Sequence, residues 1–92
     1  MAQRRVVIVN ERGLHARAAA KFTALAEEFV AEITVSNGRD DVGGRSIMGL
    51  LLLAAAKGTE ITVRVEGDDA DADAALQALC DLVEDGFGEK PG

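Results

Sequence analysis

Residues 60–66 alternate without a break: Ile61, Val63 and Val65 are apolar, and Thr62, Arg64 and Glu66 are polar. A period of two puts the first set on one side of an extended strand and the second on the other. Such a strand belongs to a sheet with one buried face and one wet face. The cover for the buried face must come from helices elsewhere in the same short chain.

The remaining segments supply that cover. Arg4 to Val9 is rich in Val and Ile and reads as a strand. From Ala16 to Phe29 the period changes, with Ala18, Phe22, Leu25 and Phe29 forming one helical face. Glu32 to Ser36 alternates again. Asn37-Gly38 then signals a hairpin into a short charged partner strand, Arg39 to Val42. Gly43-Gly44 breaks the chain. Ser46 is placed to cap a helix over Ile47 to Ala56, with Lys57 in its last turn and Gly58 as its stop. Asp68 or Asp69 caps the last helix, whose buried stripe is Ala72, Leu76, Leu79 and Val83 and which ends at Gly86 and Gly88.

The predicted order is β-α-β-β-α-β-α. This is an α/β (α+β) open-faced sandwich, a four-stranded antiparallel sheet with three helices on one face. It is expected to form a single domain over residues 1–88, followed by a frayed tail over 89–92.

Composition narrows the classes. The 92 residues are 48% hydrophobic but include three Phe and neither Trp nor Tyr, so the core is aliphatic. The longest apolar run, Ile47 to Ala56, is half the ~20 residues of a membrane helix. No secretory leader is expected ahead of the first strand, because Arg4 and Arg5 lead straight into Val6 to Val9. Cys80 is the single cysteine, so no internal disulfide forms, and its place on the apolar side of the last helix makes it a core thiol. These features predict a soluble cytoplasmic protein with no membrane association. The net charge of −6 argues against nucleic-acid binding. Its distribution is uneven: residues 1–21 carry a net +4 through Arg4, Arg5, Arg12, Arg17 and Lys21, and the rest a net −10. A basic end on an acidic body suits an anion or an acidic partner.

The segment Gly13-Leu14-His15-Ala16-Arg17 carries the chemistry. His15 falls where the first loop becomes the first helix, beside N–H groups that lack intrahelical partners. Their partial positive charge binds phosphate and disfavours the imidazolium. A neutral imidazole has a free lone pair that can attack phosphorus, and the same N–H groups, starting at Ala16, can hold the phosphoryl oxygens. Arg17 in the first turn opposes the helix dipole by roughly 0.3–1 kcal/mol. Bidentate contact with a phosphoryl group accounts for its presence there.

Gly13-Leu14-His15-Ala16-Arg17-Ala18-Ala19 resembles the active-site signature of the HPr family, the histidine-containing phosphocarriers of the bacterial phosphotransferase system. Arg45-Ser46-Ile47-Met48-Gly49-Leu50 is similar to that family's regulatory serine segment. Residues 56–63 and the Phe87-Gly88-Glu89 ending are similar as well. The resemblance spans nearly the whole chain and implies the same β-α-β-β-α-β-α fold. It implies that His15 takes a phosphoryl group on Nδ1 from phosphorylated enzyme I and that Arg17 stabilises it. The acceptors it implies are the A components of sugar permeases or regulatory proteins. Such a carrier has no turnover of its own and needs no cofactor or metal. The family usually has Pro where this chain has Ala18. Pro presets the first helical turn, so the difference bears on how firmly the turn at His15 is preorganised.

By the same resemblance Ser46, besides capping a helix, is a target for an HPr kinase/phosphorylase. Ile47, Met48 and Leu51 are expected outward as a docking surface, with Leu50 and Leu53 inward. Arg17, Lys21 and Arg45 are expected to flank that surface and meet acidic partners. A monomer is expected. Two other classes fit the residues alone. A ligand-binding regulatory domain on a similar sandwich would keep working after His15→Ala. An acyl phosphate hydrolase would need a water-positioning residue, and none is evident.

Overall fold

The computed structural model describes residues 2–67 and 69–89. Strands β1 (Ala2–Val7), β2 (Ile33–Ser36), β3 (Asp41–Gly43) and β4 (Glu60–Val65) form one antiparallel sheet in the order β1-β4-β2-β3. Helices α1 (Ala16–Ala26), α2 (Ile47–Leu52) and α3 (Ala70–Glu84) complete the predicted order. A single 3-10 turn, Gly86–Gly88, follows α3. The alternating strand becomes β4, next to the sheet's middle, paired with β1 (Val6↔Ile61, Arg4↔Val63) and with β2 (Val35↔Val63). Its inward residues Ile61, Val63 and Val65 are at most 1% exposed. They meet Ala18, Phe22, Leu50, Ala75, Leu79 and Val83 from the helices, so the core is mostly aliphatic, but its two largest fully buried side chains, Phe22 and Phe87, are aromatic. Cys80 lies within it, fully buried.

Several boundaries differ from the sequence reading. The first strand begins earlier and ends at Val7, although Ile8 continues the pairing through backbone bonds with Thr59 and Gly58. Helix α1 stops at Ala26 instead of Phe29. The chain leaves the helix there because other elements take its polar groups. The Arg45 guanidinium donates to the carbonyls of Ala26, Phe29 and Ala31 at 2.6–3.2 Å. The Asp71 carboxylate accepts the N–H groups of Val30 and Ala31. Helix α2 stops at Leu52, short of Ala56, and Ala54 adopts φ 51°. Lys57 therefore lies outside α2, in the turn before β4, and pairs with Glu11 at 2.5 Å. The hairpin uses four loop residues, 37–40, because the Asn37 side chain accepts the N–H groups of both Arg39 and Asp40.

Helix caps follow the sequence closely. The Ser46 hydroxyl accepts the Gly49 N–H at 2.9 Å, and the Asp69 carboxylate accepts the Ala72 N–H at 2.9 Å. The alternative cap, Asp68, lies outside the described residues, as do residues 90–92 of the expected tail. Glu89, the first residue of that tail, is described and makes specific contacts at the site below.

Candidate functional site

His15 is the N-cap of α1, with extended backbone (φ −83°, ψ 179°). Its position is set from two sides. Gly13 turns the preceding loop with φ 67°, and the next residue, Leu14, donates its N–H to the Ala55 carbonyl at 2.8 Å. Leu14 itself is buried, which anchors the loop to the core. The His15 carbonyl then accepts the Ala19 N–H at 2.8 Å as the first helical bond.

The two ring nitrogens face different partners. Nδ1 lies against the helix start and accepts the Arg17 backbone N–H at 3.3 Å. Nε2 lies against the Glu89 carboxylate. The ring is about one-fifth exposed, as is the Glu89 side chain. The other Glu89 oxygen accepts from Asn10 Nδ2 at 2.9 Å, and the same amide donates to the Gly13 carbonyl at 2.8 Å. The Glu89 carboxyl is held below the ordinary glutamate range. The Asn10 hydrogen bond is the largest cause, followed by that from His15, with the charge of Arg12 adding a smaller effect.

Local sequence reasoning located His15, the helix terminus and Arg17, whose side chain is exposed. It did not locate Glu89 or Asn10, which reach the ring from the end of the chain and from the loop before it. An open cleft, in which His15 has no part, is lined by Asn10, Arg12, Arg17, Lys57 and Glu89 among others. Arg12 and Lys57 are thus further cations on the cleft that Glu89 lines, and the sequence reading did not place them there.

Other candidate residues are engaged differently from expectation. Arg45 points to the carbonyls after α1 and is only partly exposed, so it supports the fold instead of standing free beside a docking face. Lys21 donates to the Phe87 carbonyl at 2.7 Å and so ties down the chain end. On α2, Ile47 and Met48 are exposed (42% and 69%), and Leu50 and Leu53 are buried, as expected. Leu51 is half-buried against the core, and the outermost apolar side chain is Leu52 at 75% exposure. The reason is helical geometry: Met48 and Leu52 are one turn apart on the solvent side, and Leu51 turns toward the core.

Ala16 and Ala18 occupy the first turn; Ala18 is fully buried, and Ala16 is exposed. Among the described residues no group of three or more His, Cys, Asp or Glu side chains could hold a metal ion, and no helix is long and apolar enough to cross a membrane.

Comparison with known proteins places this arrangement. Residues 2–85 match a family model described as the PTS HPr component phosphorylation site. The phosphocarrier protein HPr of Neisseria meningitidis serogroup B is 47% identical over 89 residues, covering 97% of this chain and 98% of the relative. The phosphocarrier protein NPr of Shewanella violacea is 48% identical over 87 residues, covering 95% and 93%. Among solved structures, HPr-C-His from Thermoanaerobacter tengcongensis superposes with a TM-score of 0.90 at 39% identity, covering 98% of this chain and 99% of that one. An HPr from Bacillus anthracis superposes with a TM-score of 0.82 at 40% identity, covering 89% and 95%.

Proposed function

The chain belongs to the HPr family of phosphocarrier proteins of the phosphotransferase system, carriers rather than enzymes, and from that premise we propose that His15 is the residue that carries the phosphoryl group. The observation that supports this most is the disposition of the ring: Nδ1 faces the start of α1, where N–H groups are available to a bound anion. In this reading the Nδ1 lone pair attacks phosphorus, and the bond between phosphorus and the donor breaks with its electron pair staying on the donor. The Arg17 N–H that rests on Nδ1 turns to a phosphoryl oxygen. The Arg17 guanidinium, which is exposed, closes over the group as a bidentate donor.

The donor in this reading is phosphorylated enzyme I. The acceptors are the A components of sugar permeases or their regulatory homologues. Relatives named HPr and NPr match at nearly equal identity, which suits either use. The exposed apolar stripe of Ile47, Met48 and Leu52 supports a docking role for α2. Ser46 is exposed at the start of this stripe, and a phosphate there adds negative charge to the same surface. That makes it a candidate regulatory site for a kinase of the HPr kinase/phosphorylase type.

The test is direct. The purified chain is mixed with enzyme I from the same organism, magnesium and phosphoenolpyruvate, and its intact mass is recorded before and after brief acid treatment. One phosphoryl group is expected, lost in acid and absent from His15→Ala. An unchanged mass overturns the assignment of His15 and moves the reading to a binding module.

A further inference from the structure

The described residues hold two sulfur atoms, and the fold treats them in opposite ways. Cys80 is fully buried, and burial pushes its thiol up to about 11, so the reactive thiolate is scarce at neutral pH. Met48 stands 69% exposed on α2. Met1 carries the remaining sulfur and lies outside the described residues.

The placement of Met48 follows from its helix. The Ser46 hydroxyl accepts the Gly49 N–H and so fixes where α2 starts. From that start Leu50 turns inward and is buried, while Met48 and Leu52, four residues apart, turn outward together. Ile47 completes the exposed stripe. A thioether in such a stripe is a soft, adaptable contact. Adding one oxygen turns it into a polar, chiral sulfoxide. In the core that change would break packing. At Met48 it leaves the buried cluster untouched and alters the outer surface of α2.

We infer that Met48 is an oxidation-sensitive control point on the docking surface: a peroxide converts it to the sulfoxide, which weakens docking of the phosphoryl donor without unfolding the chain, and a methionine sulfoxide reductase restores it. This rests on the docking reading of α2 given above. Met48 is in the first turn of α2, whereas Leu14 ties the His15 loop to Ala55, beyond the other end of that helix. The loss therefore falls on encounter with the partner, not on the chemistry of the ring.

The step balances. A sulfur lone pair attacks one peroxide oxygen, the O–O bond breaks, and the second oxygen leaves with both protons as water. The sulfur loses two electrons and the peroxide gains two. In the return step two thiols of the reductase supply two electrons and two protons. They become a disulfide, and the oxygen leaves as water.

The experiment uses the full chain as wild type, Met48→Leu and Leu52→Ser. Wild type and Met48→Leu are each assayed untreated and after hydrogen peroxide at neutral pH, with the peroxide removed first. Peptide mass mapping locates the added oxygen, and thermal melts check the fold. Initial rates of pyruvate release with enzyme I from the same organism, magnesium and phosphoenolpyruvate give KM and kcat for the chain. Treated wild type is expected to carry oxygen at Met48 and none at Cys80, with Tm and kcat unchanged. Its KM is expected to rise about tenfold, the scale of losing one apolar side chain from an interface, and to return after reductase treatment. Met48→Leu keeps Met1 and Cys80, and its KM is expected to be the same with and without peroxide. Leu52→Ser breaks the same stripe and is expected to raise KM without peroxide.

A wild type that accepts no phosphoryl group overturns the carrier reading and this inference with it. An unchanged KM in both Leu52→Ser and treated wild type overturns the docking reading of α2 and the inference together. The inference alone is overturned if Leu52→Ser raises KM but treated wild type does not. The same holds if peroxide spares Met48, if it lowers Tm, or if treated Met48→Leu loses as much as treated wild type.

Discussion

Gly13→Ala isolates what the turn before His15 contributes. Gly13 has φ 67°, where an L residue costs about 1–2 kcal/mol relative to glycine. An added Cβ would also stand 2.5 Å from the Ala55 carbonyl oxygen and 2.9 Å from the Ala56 Cα, both backbone atoms. Neither can rotate away as a side chain would. The loop must move off the 55–56 segment, which breaks the bond from the Leu14 N–H to the Ala55 carbonyl. A bond of that kind contributes about 1 kcal/mol. The expected loss is therefore about 2–3 kcal/mol.

Gly58→Ala is the control. Gly58 also has positive φ (91°), but a Cβ there meets nothing within 4 Å, so only the conformational cost applies. Urea unfolding followed by circular dichroism gives both free energies, and thermal melts give a second reading. Gly13→Ala is expected to be about 1 kcal/mol less stable than Gly58→Ala, a further drop of roughly 4–8 °C in Tm for a domain of this size. If the two variants agree within about 0.5 kcal/mol, the loop relaxes freely. The argument that Gly13 is required by close backbone approach is then wrong.

Arg45→Met keeps the aliphatic stem but removes the donor to the carbonyls of Ala26, Phe29 and Ala31. A loss of about 2–3 kcal/mol is expected, since water can replace part of these charge-assisted bonds; a denaturation midpoint equal to wild type refutes the role. Burial pushes the Cys80 thiol up to about 11, so alkylation at pH 8 should proceed only through unfolding and should speed up in parallel with urea-induced opening. Because the unfolded thiol ionises first, Cys80 favours folding less as the pH rises from its ordinary value of 9.0 to about 11, a decline that Cys80→Ala should lack in alkaline melts. Ala18→Pro is expected to leave the helix intact, since Pro is tolerated in the first turn, but to change either the transfer rate or the phosphohistidine lifetime; identical values for both show that the turn is already preorganised with Ala.

What was legible in the sequence was what a few neighbouring residues decide. The strict alternation of 60–66 reported a half-buried strand because a period of two has no other simple reading. Ser46 and Asp69 announced helix starts because capping needs only the residues that follow. His15 was legible because a helix terminus is a local object. Helix ends were less so: the apolar run 47–56 carries no signal that Ala54 turns to positive φ, and α1 ends early because Arg45 and Asp71 take its neighbours' polar groups. Glu89 was hidden for the same reason. Its placement depends on three left-handed residues and a buried Phe87 that bring it across 74 positions of sequence to His15. In the sequence Glu89 shows only as the last residue of the family-like Phe87-Gly88-Glu89 ending, with nothing that points it at His15.

The basic N-terminal segment shows how charge counting misleads when it stops at net values. Residues 1–21 carry an excess of +4, but the fold scatters it. Arg4 and Arg5 lie on β1, reaching Gln77 at 3.5 Å and Glu60 at 4.0 Å, where solvent leaves such contacts little energy. Lys21 is committed to the Phe87 carbonyl. Of the five bases, Arg12 and Arg17 line the cleft that Glu89 also lines, and they are joined there by Lys57 from the acidic remainder of the chain. That cleft sets Arg12, Arg17 and Lys57 against Glu11, Glu84, Asp85 and Glu89. Such a mixed rim has no excess of positive charge with which to hold a free anion strongly. On the carrier reading proposed for His15, a phosphoryl group arrives on a partner that positions it and leaves again readily, which is what a carrier requires and a storage site does not.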